Sequence, residues 1–348
     1  MTSVFDQSRQ SARMLRVLVA VVACVVAIAS APARAQGFDV KWPAFKAAPL
    51  DVVVTVPALK GLIEPLTPEG STVTMLMKPG RSEHSYEFSA PDIAALTKAD
   101  VVFLVGLELE LRVEDALARK QNVARRVVNF GEALGLKQSE GHEHHDHAPG
   151  EVCNHGGDWV DQHLWLDPVL VEQILPKLRD AVRESLLVKA AWNDEVEKQL
   201  NARYDMMLKI VQEVHSEWAK KLEPFKGMAI VTHHDAFSRP ASRYGLTVAA
   251  VIRPGQASET TARDIANAVK AIREQKASAV FIEPQFDGSV AERIAKRANV
   301  RIGQLDPVGD GDWFRMMRRN LHELSSKLRA EKDVAPVPAD PDAKKSDK

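Results

Sequence analysis

Residues 191–222 read AWNDEVEKQLNARYDMMLKIVQEVHSEWAKKL, and this stretch decides the fold. Its apolar side chains fall at Leu200, Tyr204, Met207, Ile210, Val211, Val214 and Trp218. Steps of three and four put them on one face of a helix. Pro224 cannot continue that helix, so the spacing predicts one long helix over 191–222. Two ordinary helices with a break between them are the alternative. On either side, short apolar runs alternate with amphipathic stretches, the pattern of α/β folds. Before the helix, 51–56, 73–77, 101–105 and 126–130 read as strands, with helices after Pro57 and over 90–97. From 168 to 221 the strand signal vanishes. It resumes at 228–232, 248–252, 279–282 and 301–305, with helices over 260–275, 289–298 and 313–330. The expected architecture is two α/β lobes, each a mostly parallel sheet flanked by helices, joined by one long rigid linking helix. The lobes are expected at 36–190 and 223–330, and the Pro-, Asp- and Lys-rich stretch 331–348 as a disordered tail.

A chain of 348 residues suits two domains of ordinary size. Its 46 basic and 47 acidic residues give a net charge of -1, which offers no footprint for nucleic acid. Residues 1–35 read as a signal peptide. Arg9, Arg13 and Arg16 precede an apolar run over 17–29, and Ala33-Arg34-Ala35 is the small-x-small pattern cut by signal peptidase. That run of about 13 residues is short of the roughly 20 needed to span a bilayer. The expectation is export to the periplasm with cleavage after Ala35. An uncleaved anchor is one alternative. Lipidation at Cys24 is another, although the apolar run continues past that cysteine. Of the two cysteines, cleavage leaves Cys153 alone, so the mature chain has no internal disulfide.

Eleven histidines carry the functional signal. Six lie from His142 to His163, and residues 141–147 read GHEHHDH. Followed by Ala148, Pro149 and Gly150, this tract reads as a metal-binding loop over about 141–155. Its accessory ligands are His142, His144, His145, His147 and His155. A solvated polar loop is the plainer alternative. The order His-x-His-x-Asp-His over 142–147 also matches the metallo-β-lactamase-fold hydrolases, which makes a zinc-dependent hydrolase the enzyme alternative. That motif needs a buried strand immediately ahead of it, and GLKQSEG at 135–141 cannot form one.

Three other histidines stand in loops around the expected strands. His84 follows the second strand and His234 the fifth, and open parallel sheets bind ligands outside the carboxyl ends of their strands. His163 lies in Asp161-Gln162-His163-Leu164-Trp165-Leu166-Asp167-Pro168, just before the helical region. Glu83 adds a carboxylate beside His84. Three imidazoles with a carboxylate or a water suit tetrahedral Zn²⁺. Separations of 79 and 71 residues mean that only the fold can gather these ligands, in a cleft between the lobes.

At these residues the sequence resembles the metal receptors of ABC transporters, specifically the zinc-uptake branch of the periplasmic binding proteins. The resemblance runs from about Asp51 to Leu328. It is carried by Pro79-Gly80-Arg81-Ser82-Glu83-His84-Ser85-Tyr86, by 161–168, and by Val231-Thr232-His233-His234-Asp235-Ala236-Phe237. Glu283-Pro284-Gln285-Phe286 and Leu305-Asp306-Pro307 complete it. It implies two lobes on one long helix, with His84, His163 and His234 as ligands of transported Zn²⁺. Glu83 matches the acidic residue able to give a fourth oxygen. Asp306 matches the position where manganese receptors place a carboxylate, and water is the third option for that place. His233 is a neighbour of the set.

The implied partner is the membrane permease of a zinc ABC importer, served by a monomer that carries out no catalysis. A manganese receptor and a metal-scavenging or adhesive surface protein of the same fold are the alternatives. Manganese receptors place a carboxylate where this chain has His234, and three nitrogens shift preference toward zinc. Two departures from the family stand out: the His-rich loop is short, and the second-lobe cysteines that often form a disulfide are missing. Ordinary imidazoles titrate near pH 6.5, so the expectation from sequence is a zinc affinity that falls steeply below pH 6.

Overall fold

Four short strands build the first sheet: β1 (Asp51–Val54), β2 (Thr72–Met75), β3 (Val101–Leu104) and β4 (Arg126–Asn129). The computed structural model describes residues 40–137, 160–253 and 261–328; the expected leader, His-rich loop and tail lie outside the described residues. All pairings are parallel and the strand order is β2-β1-β3-β4. A second sheet repeats that arrangement with β5 (Ala229–Thr232), β6 (Thr247–Val251), β7 (Ala279–Ile282) and β8 (Arg301–Gln304), in the order β6-β5-β7-β8. The inner strands β3 and β5 are buried along their whole length, which is why they read as unbroken apolar runs.

Helices cover both faces. In the first lobe they are α1 (Pro57–Ile63), α2 (Ala90–Lys98), α3 (Leu111–Arg119), α4 (Phe130–Ala133) and α5 (Pro168–Val188). The spine is α6 (Asp194–Leu222), of 29 residues. Beyond it come α7 (Ser238–Arg243), α8 (Ala262–Glu274), α9 (Ser289–Ala298) and α10 (Trp313–Lys327). Alternate residues of the inner strands β1, β3, β5 and β7 serve different cores. Val53, Val102 and Leu104 pack outward toward α2 and α3. Ala229, Val231 and Val280 pack outward toward α8 and α9. The opposite faces, with Val52, Val54, Phe103, Ile230 and Phe281, join α1, α5, α6 and α10 in one core shared by both lobes.

Local chemistry explains where the spine begins and ends. The Asn193 side chain accepts the Val196 amide at 3.0 Å, and Asp194, Glu195 and Glu197 follow in the first turn. Ala190 adopts φ 52°, so α5 and α6 are separated by a sharp turn, and the helix starts three residues later than its apolar periodicity suggests. Lys220 and Lys221 occupy the last turn, and a 3₁₀ turn over Glu223–Phe225 follows. Strands end earlier than their apolar runs. Val105, Ile252 and Leu305 are buried but stand beyond the ladders, because burial and pairing are separate properties.

The lobes meet through specific polar contacts as well as the shared core. Trp165 Nε1 donates to the Pro307 carbonyl at 2.6 Å, and Trp313 Nε1 donates to the Trp165 carbonyl at 2.7 Å. Arg243 Nε pairs with the fully buried Asp167 at 2.5 Å. A Cβ added at Gly61 of α1 would sit 2.5 Å from the Trp313 amide nitrogen, so only glycine allows this approach of α1 to α10.

Candidate metal centre

Glu83, His84, His163 and His234 come together although they are far apart in sequence. Glu83 and His84 lie in the loop between β2 and α2, and His163 directly precedes the 3₁₀ turn Leu164–Leu166 that leads into α5. His234 lies two residues past β5, an inner strand of the other sheet. This is the carboxyl-end placement expected of a ligand site in parallel sheets. One ligand atom from each of the four lies within 4.8 Å of all the others.

The inner atoms have the spacing of a coordination shell. His163 Nε2 lies 3.0 Å from Glu83 Oε1, and His234 Nε2 lies 3.4 Å from the same oxygen. The two Nε2 atoms are 3.1 Å apart. A tetrahedral ion with bonds of about 2.0–2.1 Å separates its donors by roughly 3.3 Å. His84 closes the set edge-on, its ring centroid 5.1 Å from that of His163 and 5.3 Å from that of His234.

The inward nitrogens of His163 and His234 are each aimed by a carboxylate behind the ring. His163 Nδ1 pairs with Asp161 Oδ1 at 2.8 Å, and His234 Nδ1 pairs with Glu283 Oε1. Glu283 also accepts the His234 amide at 3.1 Å. Asp161 is itself braced from the other lobe, where Arg239 Nε stands 3.4 Å from its Oδ2 and Arg239 Nη2 donates to its carbonyl. A carboxylate on Nδ1 fixes the tautomer that presents Nε2 to the metal position.

Without metal the pocket holds protons. Burial alone would depress His163, but its bonds to Asp161 and Glu83 outweigh that and push its pKa up to about 9. Burial is likewise overcome at His234, which Glu283 and Glu83 hold well above the ordinary value. The same bonds overcome burial at Glu83 and hold its carboxyl well below the usual range. Burial pushes His84 down to about 3, despite the pull of Glu83. The pocket therefore offers one neutral imidazole, one carboxylate and two imidazoles whose raised proton affinity a metal must outcompete.

The other expected residues stand elsewhere. Asp306 lies outside the cluster of four: its Oδ1 accepts from Gln285 Nε2 and from the Val308 and Gly309 amides. His233 packs its ring 4.4 Å from that of Phe286. His142, His144, His145, His147 and His155 lie outside the described residues. Reading from the sequence assigned no role to Asp161 or Glu283. Asp161, two residues before a candidate ligand, offered a local signal, whereas Glu283 reaches His234 only through the pairing of β5 with β7.

A family model described as "Zinc-uptake complex component A periplasmic" (ZnuA) matches residues 52–327. The chain is 28% identical over 287 residues to the high-affinity zinc uptake system protein ZnuA of Yersinia pestis, covering 77% of this chain and 86% of that one. It is 25% identical over 271 residues to the zinc-binding protein AdcA of Streptococcus pyogenes, covering 72% of this chain but only 51% of that one. Among solved structures, the periplasmic zinc binding protein TroA of Treponema pallidum superposes with a TM-score of 0.66 at 21% identity, over 80% of this chain and 99% of that one. Structures of this fold have been solved with Zn(II) and with Mn²⁺, so shared fold alone does not choose the metal. With the match to the family model running through both sheets and the long helix, the chain belongs to the ZnuA family of metal-binding receptors that serve ABC uptake systems.

Proposed function

We propose that this protein captures Zn²⁺ outside the cytoplasmic membrane and delivers it to the permease of an ABC importer. The observation that carries this reading is the convergence of three imidazoles and one carboxylate from both lobes on one buried point. Three nitrogen donors favour zinc over manganese, which prefers oxygen-rich sets. In this reading His84, His163, His234 and Glu83 hold the ion. The tract from His142 to His147 raises zinc concentration near the cleft. The mature periplasmic chain begins after Ala35 and acts as a monomer, with one lobe before the linking helix and one after it.

The test is a zinc titration of metal-free chain from residue 36 onward, lacking His142–His147, with excess Mn²⁺ present. One tight site that manganese does not displace supports the reading. Only weak binding moves the zinc chemistry to the deleted tract and overturns it. A tight site that manganese empties identifies a manganese receptor instead.

A further inference from the structure

A turn outside the metal centre, buried at Gly106 and Leu107 and exposed at Glu108, carries an unusual backbone. Gly106, Leu107 and Glu108 adopt φ of 76°, 55° and 67°, three consecutive residues in the left-handed region. Glycine takes that conformation freely, but leucine and glutamate do so at a cost and persist there only when their surroundings impose it. Here the surroundings do. Glu110, buried at 2% exposure, accepts the Val105 amide on Oε1 at 3.0 Å and the Gly106 amide on Oε2 at 2.9 Å. The buried Thr55 hydroxyl donates to the same carboxylate at 2.5 Å. A Cβ on Gly106 would lie 2.0 Å from Asn129 Oδ1, and one on Gly131 would lie 2.6 Å from Leu107 Cγ. The turn is thus held from three sides, and none of these contacts belongs to the metal centre.

What the turn presents is the Leu107 carbonyl. Gln162 Nε2, buried at 7% exposure, donates to it at 2.6 Å. Gln162 stands between Asp161, which orients the His163 ring, and His163 itself. We infer that Gln162 is a positioning residue for the metal centre, clamping the backbone at His163 to the strained turn 106–108 that Glu110 anchors. The clamp complements Arg239, which braces Asp161 from the other lobe. The segment carrying Asp161 and His163 is thereby fixed on both sides, and the Nε2 direction is set before metal arrives.

This inference rests on the proposed zinc site, and its test separates the two. Gln162→Leu removes the donor at nearly constant volume; Gln162→Asn keeps an amide but stops one methylene short of Leu107. Zinc affinity and the visible spectrum of the Co²⁺-loaded protein are measured for both variants and the parent, with metal-free melting curves alongside. The Co²⁺ bands report ligand geometry, which a loss of global stability alone does not alter. The expected result is about a tenfold loss of zinc affinity in each folded variant, with altered Co²⁺ bands. Parental affinity and bands in a folded variant overturn the positioning role. So does an affinity loss that tracks the melting curve while the bands stay parental. A parent that takes up no zinc overturns the proposed function itself.

Discussion

Lowering the pH from 8 to 6 is expected to weaken zinc binding far more than ordinary histidines allow. With His163 raised to about 9 and His234 raised well above its ordinary value, the metal-free pocket holds its protons more tightly than ordinary imidazoles would. Those protons must leave before zinc binds. For His163 alone, deprotonation at pH 7 spans two pKa units, about 3 kcal/mol or a hundredfold in affinity relative to pH above 9. His84, pushed down to about 3, is neutral already and releases no proton. The logarithm of the affinity therefore rises with pH, with a slope of about one to two across pH 6–8. Calorimetric zinc titrations of the chain lacking His142–His147, in buffers of different ionisation heat, count the protons released. The expected count is about one to two per zinc. Sequence reading with ordinary imidazoles put the fall below pH 6; the coupled carboxylates move it upward. The same shift fixes a stability sign: His163 stabilises the metal-free fold below pH 6.5, and that contribution is lost as pH rises through about 9. An affinity flat from pH 6 to 8, with a heat independent of buffer, would refute the coupled site.

Glu283→Gln keeps its shape but removes the charge that supports the imidazole ring of His234. Zinc affinity in a chelator competition should fall about 10- to 100-fold, and an unchanged value would show that Glu283 does not orient that ligand. Gly61→Ala forces a methyl against the Trp313 amide between the lobes, outweighing the better helix propensity of alanine. It should destabilise the fold by about 1–3 kcal/mol in chemical denaturation, and a stabilised variant would contradict the close approach. Burial raises Glu110 from 4.5 to about 7 against its three hydrogen bonds. Its raised value stabilises the fold below pH 4.5, and that contribution, about 3 kcal/mol, is lost as pH rises through about 7. Comparing the denaturation of Glu110→Gln with the parent at pH 5 and 7.5 should show the parent losing more stability; parallel losses would remove Glu110 as the source.

Periodicity disclosed much of the architecture because each sheet and the spine obey simple repeats. The run from Leu200 to Trp218 marked the helix that passes between the lobes, although Asn193, as its cap, set the true start. Helix α3 is missing from the expected elements although Val113, Ala116 and Leu117, three and four residues apart, give it an apolar face that packs on the outer core. His84, His163, His234 and Glu83 were visible as residues placed in loops between predicted elements. The carboxylate behind His234 was not, since Glu283 lies 49 residues from His234 and meets it only through sheet pairing. Nor could sequence reveal that Asp306 is occupied by Gln285 and two amides, because nearness in the fold does not show which way an oxygen points.

Helix α6 also sets a mechanical limit. At about 1.5 Å per residue its 29 residues form a beam roughly 44 Å long. Buried side chains from Val196 to Leu222 tie it to the shared core along its whole length. Such a beam resists bending, so the lobes cannot swing apart as a clamshell on two strands would. What remains is small tilting about the beam. Across a lever arm of roughly 20 Å, a tilt of about 3° displaces the far end by about 1 Å, half the length of a zinc–nitrogen bond. In the proposed site, with His234 in one lobe and Glu83, His84 and His163 in the other, that displacement would be enough to open the coordination shell. Unloading the ion thus calls for a nudge at the lobe surfaces instead of a wide opening.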